Sequence, residues 1–138
     1  MDTSTIDYRE TRELPPDMVL GLYRVNGWSS AEKPTRLLAA LVDSHAVVSA
    51  WHGPRLVGLG NAISDGHLVV FYPHLLVHPD YKRRGIGTRI ARRLMDRYRG
   101  FHQQTLLADG LAIDFYRKLG YVRAGKTEPM WVYAGSEH

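Results

Sequence analysis

The order of elements along this chain predicts a mixed α/β fold. Three observations support it. Apolar residues alternate or run continuously in some short segments, they recur at helical spacing in others, and the two kinds of segment follow one another as βααβββαβαββ. This order predicts a central mixed sheet of about six to seven strands flanked by helices. The 138 residues are expected to form a single domain, residues 1–138, because compact domains cluster near 100–150 residues.

Local signals place each element. Pro15-Pro16 ends the first strand, Gly120 caps the last helix, and Pro73 inside a long strand predicts an edge, a bulge or a break in pairing. Trp51 and Trp131 are predicted to lie in the core. In chain order the elements are a strand at residues 4–9, helices beginning near Asp17 and at Pro34, strands at 46–51, 56–63 and 67–77, a helix at 87–98, a strand at 104–108, a helix at 112–119, and closing strands at Val122 and at 130–133.

Charge is distributed unevenly along the chain. The sequence carries 18 Lys and Arg against 14 Asp and Glu, a formal net charge of +4. Eight basic residues and one acid lie between Lys82 and Arg99, so that segment has a net charge of +7 and the remainder a net charge of −3. A mildly acidic protein with one basic segment indicates one anionic ligand bound at one place, not a polyanion wrapped over the whole surface.

Composition excludes several classes of protein. Hydrophobic and charged contents of 44% and 23% are ordinary globular values and argue against disorder. The absence of cysteine excludes disulfides, thiolate zinc sites and a cysteine nucleophile, and the spacing of the histidines predicts no metal site. The start of the chain is polar, and no apolar run approaches the ~18 residues of a membrane span. A cytoplasmic protein without membrane contact is therefore expected.

A basic, glycine-containing turn joins the strand ending at Val77 to the helix beginning near Gly87. The first N–H groups of a helix lack internal partners, and the helix dipole adds partial positive charge there. Gly85 and Gly87 would let the backbone approach an anion closely, and three cationic side chains precede them. The pattern favours a phosphate or pyrophosphate site, although short glycine patterns also occur where a turn merely starts a helix.

Two motifs in this part of the chain resemble those of the GNAT superfamily of N-acetyltransferases. Lys82-Arg83-Arg84-Gly85-Ile86-Gly87 is similar to the family signature Gln/Arg-x-x-Gly-x-Gly/Ala, and residues 112–121 resemble its second motif, a helix with tyrosine followed by glycine and an aromatic residue. The inferred element order fits the whole family fold. Within the superfamily the chain resembles small bacterial proteins related to aralkylamine N-acetyltransferases. The resemblance implies direct transfer of an acetyl group from acetyl-CoA to a primary amine of a small molecule or peptide, and it allows a homodimer.

The resemblance also implies roles for individual residues. Strand residues Leu75–Val77 would pair with the pantetheine arm of acetyl-CoA and polarise the thioester carbonyl, the turn would hold the pyrophosphate, and Tyr116 would protonate the departing thiolate. Tyr116 could instead be an ordinary core aromatic. The implied cofactor-binding residues are Leu75, Leu76, Val77, Lys82, Arg83, Arg84, Gly85, Ile86, Gly87, Thr88 and Asp109.

Three positions depart from the family pattern. Lys82 stands where the family prefers Gln or Arg. Asp109 stands where an asparagine often contacts the cofactor arm, and a carboxylate lacks the amide donor. Gln104 stands where some relatives have a glutamate base, and a glutamine cannot take a proton.

His74 is the candidate base, since a histidine with an ordinary pKa of about 6.5 suits deprotonation of an ammonium near neutrality. Its side chain is expected on the same face as Tyr72 and Leu76, unless a bulge near Leu75 changes the parity. The alternatives are a histidine with only a structural role and a chain of water molecules acting as the base.

Tyr23 and Trp28 are candidates for binding the acceptor. The loop between the first two helices forms an acceptor wall in the GNAT family, and aromatic faces hold aryl groups or cations. A purely structural contribution to the core is the alternative.

Weaker signals in the sequence favour other classes of function. Gly120–Thr127 matches the P-loop pattern Gly-x-x-x-x-Gly-Lys-Thr, but it lacks the preceding strand and following helix that such a loop requires. The arginine-rich helix suggests nucleic acid, but its one aromatic residue, Tyr98, falls on the apolar face. A tRNA-directed acetyltransferase and a catalytically silent acyl-CoA-binding module of the same fold remain as alternatives.

Overall fold

The computed structural model describes residues 5–136 and contains six strands and four α-helices within that range. Short 3₁₀ turns occupy Ser29–Glu32 and Pro79–Tyr81. The elements are β1 (Ile6–Arg9), α1 (Pro16–Val25), α2 (Pro34–Val42), β2 (Ala46–His52), β3 (Arg55–Ser64), β4 (Val69–Phe71), β5 (Leu75–Val77), α3 (Ile86–Arg97), β6 (Gln103–Thr105) and α4 (Ala112–Lys118).

The six strands form one mixed sheet, which confirms the predicted fold class. The strand order is β1-β2-β3-β4-β6, and β5 also pairs with β3. All neighbours are antiparallel except β4 and β6, which are parallel. No helix among residues 5–136 is long and apolar enough to cross a bilayer.

The strand predicted at residues 67–77 is interrupted by a bulge. Ile63 pairs with Phe71, but Gly60 pairs with Leu75, so the chain between β4 and β5 contains one residue more than the facing stretch of β3. Pro73 lies in this interval, where it has no N–H to donate to a ladder. A one-residue insertion reverses which face the following side chains occupy. Tyr72 and Leu76 accordingly belong to the two opposite hydrophobic clusters of the sheet.

Helices cover both faces of the sheet. Helices α1 and α2 pack on one face, where the core includes Leu22, Leu41 and Leu59, and α3 packs on the other. Glycines in β3 allow this second contact, because a Cβ on Gly58 would lie 2.9 Å from Ile90 Cδ1 and one on Gly60 would lie 2.8 Å from Ile90 Cγ2. Both distances are shorter than ordinary Cβ contacts, so any other residue at these positions would force the Ile90 side chain or α3 itself to shift.

The closing strands predicted at Val122 and at residues 130–133 are not present. Within the described part of the chain, no strand follows β6, which itself ends at Thr105 and not at Ala108. Trp131, predicted as core, is 55% exposed, whereas Trp51 is buried as predicted. Apolar alternation in sequence favours an extended conformation, but a strand also needs a hydrogen-bonding partner, and the local pattern cannot supply one.

Candidate active site

A cleft opens where two strands separate. Before the bulge, β4 runs parallel to β6, and the N–H of Tyr72 still donates to the carbonyl of Thr105 at 3.0 Å. After the bulge, β5 pairs with β3, and no other strand among residues 5–136 pairs with it. Two neighbouring strands of the sheet therefore diverge at the bulge. A cavity of about 20 Å³ lies at this point, and its lining includes both predicted catalytic residues, His74 and Tyr116.

The backbone of β5 presents hydrogen-bonding groups to the cleft. Asn61 N–H donates to the carbonyl of His74 at 3.1 Å, and His78 N–H donates to the carbonyl of Val57 at 2.8 Å. Hydrogen-bonded pairs alternate along an antiparallel ladder, so Leu76 also faces β3 through its backbone. The N–H and C=O groups of Leu75 and Val77 therefore point toward the open side, while those of Leu76 do not.

The turn between β5 and α3 has the geometry of an anion-binding site. Arg83 and Gly85 both adopt positive φ angles, of 66° and 78°, and Gly85 is the N-cap of α3 without a side-chain cap. The first intrahelical bond runs from Arg89 N–H to the carbonyl of Gly85, so the N–H groups of residues 86–88 have no partner within the helix. Lys82, Arg83 and Arg84 are exposed at this point. The dipole, the N–H groups and three cations thus coincide.

His74, Tyr23 and Trp28 form one aromatic cluster. The Tyr23 hydroxyl and His74 Nδ1 are 2.8 Å apart, and the Trp28 ring contacts both neighbours edge-on, with centroids 5.7 Å from Tyr23 and 5.2 Å from His74. Tyr23 is fully buried, and burial raises its pKa well above the ordinary value, so its hydroxyl stays protonated. Two aromatic residues at and just after the C-terminal end of α1 are thereby brought into contact with His74, which is distant in sequence and immediately precedes β5.

The bulge decides which face His74 occupies. The side chain lies with Tyr23 and Trp28 on the α1 side, the same side as Leu76, and not on the face that buries Tyr72. The expectation of a face shared by all three residues was wrong for Tyr72, because the extra residue near Pro73 inverts the alternation. His74 nevertheless reaches the cavity that Tyr116 also lines.

Tyr116 lies on α4 at the far side of the same cavity. Its ring contacts Tyr121, with centroids 5.7 Å apart, and burial raises the pKa of the Tyr116 hydroxyl to about 12. The hydroxyl therefore holds its proton throughout the neutral range. Asp109 is exposed before α4, and its backbone carbonyl accepts a hydrogen bond from Ala112 N–H at 3.0 Å.

Asn61, which was not among the residues predicted from the sequence, fixes the bulge. Its buried side-chain oxygen accepts from His74 N–H at 3.1 Å, and its amide nitrogen donates to Ser44 Oγ at 3.1 Å. The signal was visible as one amide within the apolar strand Leu56–Ile63. Gln104 has a similar structural function, since its Oε1 accepts from the Tyr72 hydroxyl at 2.6 Å and its Nε2 donates to the carbonyl of Tyr98 at 3.3 Å.

Three arginines of α3 contact the first strand and the residue that follows it. Arg97 and Arg93 lie 3.0 and 3.7 Å from the carboxylate of Glu10, and Arg89 and Arg93 lie over the ring of Tyr8. These contacts connect α3 to the end of β1. Exposed ion pairs of this kind contribute about 0–1 kcal/mol.

The P-loop pattern has no P-loop structure. Gly120–Thr127 follows helix α4, and no helix begins in the described residues after it, through Ser136. A phosphate-binding P-loop requires a strand before it and a helix after it. In addition, no group of three or more acidic residues or histidines within residues 5–136 is arranged to hold a metal ion.

The fold and the cleft agree with the family comparison. The chain belongs to the acetyltransferase (GNAT) family, whose model matches residues 10–121. It is similar to the GNAT family acetyltransferase SP0256 from Streptococcus pneumoniae TIGR4, with 27% identity and a TM-score of 0.82 over 94% of this chain and 99% of that one. The GNAT resemblance of the sequence motifs is thus confirmed.

Two further similar proteins have names that state an activity. AAC(6')-Iy in complex with the bisubstrate analogue CoA-S-monomethyl-acetylneamine has a TM-score of 0.72 over 95% of this chain and 100% of that one, but at 14% identity it shows the fold alone. Histone acetyltransferase TAP1 of Glycine max is 28% identical over an alignment of 109 positions that covers 69% of this chain and 46% of that protein. The match thus spans less than half the length of this curated relative.

Proposed function

We propose that this protein is an N-acetyltransferase that moves an acetyl group directly from acetyl-CoA to a primary amine. The observation that carries the proposal is the continuity of one groove: the open backbone edge of β5 leads straight into the positive-φ turn and the N-terminus of α3. An extended arm ending in a pyrophosphate needs this combination, a strand edge followed by an anion site. The complex of AAC(6')-Iy with a CoA-containing analogue supports the choice of cofactor.

The residues present fit acetyl-CoA. The cleft-facing N–H and C=O groups of Leu75 and Val77 would hold the pantetheine arm, while Leu76 contributes through its buried side chain, which keeps β5 in place. Backbone N–H groups of residues 84–88 would bind the pyrophosphate, with Lys82 and Arg83 adding positive charge. Asp109 is also proposed to lie beside the bound cofactor. Bound acetyl-CoA supplies the acetyl group as a thioester.

The two proposed proton transfers are made by residues on opposite sides of the cleft. His74 would take a proton from the incoming ammonium, because it belongs to the aromatic cluster and also lines the cavity. Tyr116 would donate a proton to the departing sulfur, which its raised pKa permits because the hydroxyl is protonated at neutral pH. No cysteine is available for a covalent acyl-enzyme, in agreement with direct transfer.

The aromatic cluster supports an acceptor with an aryl group or a positive charge. Trp28 is only partly buried, so one face of the Tyr23–Trp28–His74 cluster is accessible from the α1–α2 loop. Small arylalkylamines and N-terminal residues of peptides both combine an amine with a group that such a surface binds. We propose the arylalkylamines as the first class to test. The single-domain organisation, a homodimer and a cytoplasmic location stay predictions.

Two measurements test the proposed function. Acetyl-CoA should raise the thermal midpoint of the protein, whereas ATP with Mg²⁺ should not, because linkage stabilises only the state that binds. Release of free thiol should then appear with at least one member of a panel of arylalkylamines, polyamines, amino acids and peptides. A rise in the thermal midpoint with acetyl-CoA but no turnover of any amine would instead support a non-catalytic acyl-CoA-binding module. A rise with ATP alone would support the P-loop alternative.

A further inference from the structure

A second cavity, of about 450 Å³, lies between α1 and the turn that joins β2 to β3. It shares no lining residue with the cleft that holds His74 and Tyr116. Its volume falls in the range of sites that bind small molecules, and its walls are mostly apolar, as in such sites. The lining consists of Met18, Gly21 and Leu22 of α1, residues 54–56, and His78, the residue after β5.

The α1 wall of this cavity is open because Gly21 has no side chain. Glycine disfavours a helix relative to alanine, since it loses more backbone freedom on folding. Nothing in the structure excludes a side chain here, because a Cβ on Gly21 would meet no atom within 4 Å and the residue has helical backbone. The space beside Gly21 is thus kept open against the helix preference of the chain. A molecule packed against this part of α1 explains why no side chain fills it.

Two hydrogen-bond donors face each other at one end of the cavity. His78 Nδ1 accepts from Asp80 N–H at 3.1 Å, so the proton of the neutral imidazole is on Nε2. That nitrogen lies 3.0 Å from Nη2 of Arg55, whose guanidinium has donors only. Neither group can accept from the other. Because the His78 side chain is only 15% exposed, a shared acceptor inside the cavity is needed to satisfy the pair.

No carboxylate of residues 5–136 supplies this acceptor. The Asp80 carboxylate lies 3.9 Å from His78 Nδ1, the nitrogen that already accepts a hydrogen bond. The ion pairs within the described chain do not include Arg55, whose guanidinium lies over the Tyr81 ring, 5.4 Å from the centroid. An anion that entered the cavity would therefore meet a positive charge and two donors without displacing an acidic side chain.

We infer that this cavity binds a small carboxylate whose apolar group packs against α1. The carboxylate oxygens accept from Arg55 and from His78 Nε2, because a planar guanidinium fits a carboxylate and such charged hydrogen bonds are strong. The alkyl or aryl group of the ligand lies against Leu22 and Leu56, and the flexible side chain of Met18 adapts to either shape. The inference is independent of the proposed acetyl transfer, since the cavity contains none of the residues assigned to that reaction.

Titrations followed by NMR test the ligand class and the place of binding. Hexanoate and 3-phenylpropionate are each compared with the alcohol of the same skeleton, hexan-1-ol and 3-phenylpropan-1-ol. Each carboxylate should bind at least about tenfold more tightly than its alcohol, and the amide signals of residues 18–22, 55–56 and 78 should move. Equal affinities would overturn the inference. Signal changes confined to residues 83–88 would also overturn it, because they would place the carboxylate on the turn before α3.

Gly21→Leu tests the site without weakening the fold. The new side chain fills the cavity from a helix position where nothing opposes it, and leucine favours a helix over glycine. Carboxylate binding should be lost, while the thermal midpoint stays the same or rises. Undiminished binding would show that the ligand lies elsewhere.

A matched pair of arginine variants tests the anionic end of the site. Arg55→Gln should weaken carboxylate binding about tenfold or more and leave binding of the alcohols unchanged. Arg36→Gln removes the same charge from an exposed position on α2 that does not line the cavity, and it should bind as the wild type does. Equal losses in the two variants would reduce the effect to net charge and contradict the proposed contact.

Discussion

Asn61 and His74 exchange two hydrogen bonds across the bulge of the central sheet. The backbone N–H of Asn61 donates to the carbonyl of His74, and the backbone N–H of His74 donates to the Asn61 side-chain oxygen, both at 3.1 Å. The side-chain oxygen replaces the ladder partner that the bulge removes from His74. The side-chain amide of Asn61, on β3, thereby holds the backbone of His74, the proposed base, in position.

Asn61→Ala should therefore destabilise the protein by about 1–3 kcal/mol, because it leaves the part-buried His74 N–H and the buried Ser44 Oγ without this partner. Urea unfolding measures the change. Asn26→Ala is the control, since Asn26 donates to the carbonyl of Leu22 at the partly exposed end of α1 and should matter less. Equal losses at the two positions would contradict the anchoring function of Asn61.

Tyr116→Phe should lower kcat by about 10²-fold or more with acetyl-CoA affinity nearly unchanged, as expected for loss of a general acid. Tyr121→Phe is matched to it, because Tyr121 lines the same cavity and contacts the Tyr116 ring but has no proposed proton transfer. Steady-state kinetics and calorimetric titration separate the two effects. An unchanged kcat in Tyr116→Phe would remove this residue from the mechanism.

His74→Gln should flatten the acidic limb of the pH profile of kcat/KM, because a glutamine cannot take a proton. Tyr23→Phe should lower kcat more modestly, since it removes the hydroxyl that lies 2.8 Å from His74 Nδ1. In the double variant the two losses should not add, because both act through one group. Additive losses, or an acidic limb unaltered in His74→Gln, would indicate that water or another residue is the base.

Gly85→Ala should weaken acetyl-CoA binding and cost about 1–2 kcal/mol of stability, because residue 85 has a φ of 78° and a Cβ is strained there. Gly87→Ala provides the contrast. A Cβ at Gly87 would lie 3.5 Å from Phe115, an ordinary contact, and the backbone N–H is retained. Thermal unfolding and the KM for acetyl-CoA measure both effects, and a larger defect in Gly87→Ala would contradict the geometry of the turn.

Stability should fall at alkaline pH. Burial raises the pKa of Tyr116 and of Tyr121 to about 12, and it also raises the pKa of Tyr23 and of Tyr72. Above pH ~10 the unfolded chain loses phenol protons that the folded protein keeps, so the free energy of unfolding decreases as pH rises from about 10 toward 12. Urea unfolding at a series of pH values measures this, and Tyr23→Phe should reduce the slope. A flat profile above pH 10 would show that the tyrosines are not shielded as described.

The sequence was most informative where chemistry depends on neighbouring residues. The basic turn, its two glycines and the helix that follows are contiguous, so the proposal of an anion site could be made from residues 82–88 alone. Tyr23, Trp28 and His74 were each singled out as candidates, but their contact could not be predicted, because it depends on how α1 packs against a strand 51 residues later in the chain.

The sequence by itself determined the fold class and the family, and it predicted the turn that we propose binds the phosphates of the cofactor, because periodicity and short motifs are local properties of the chain. Only the tertiary structure decided the face occupied by His74, the anchoring by Asn61 and the absence of the closing strands. The physical reason is the same in all three cases. One extra residue in a strand reverses the alternation of side chains, and a ladder forms only where a partner strand is in reach, so both outcomes depend on residues distant in sequence.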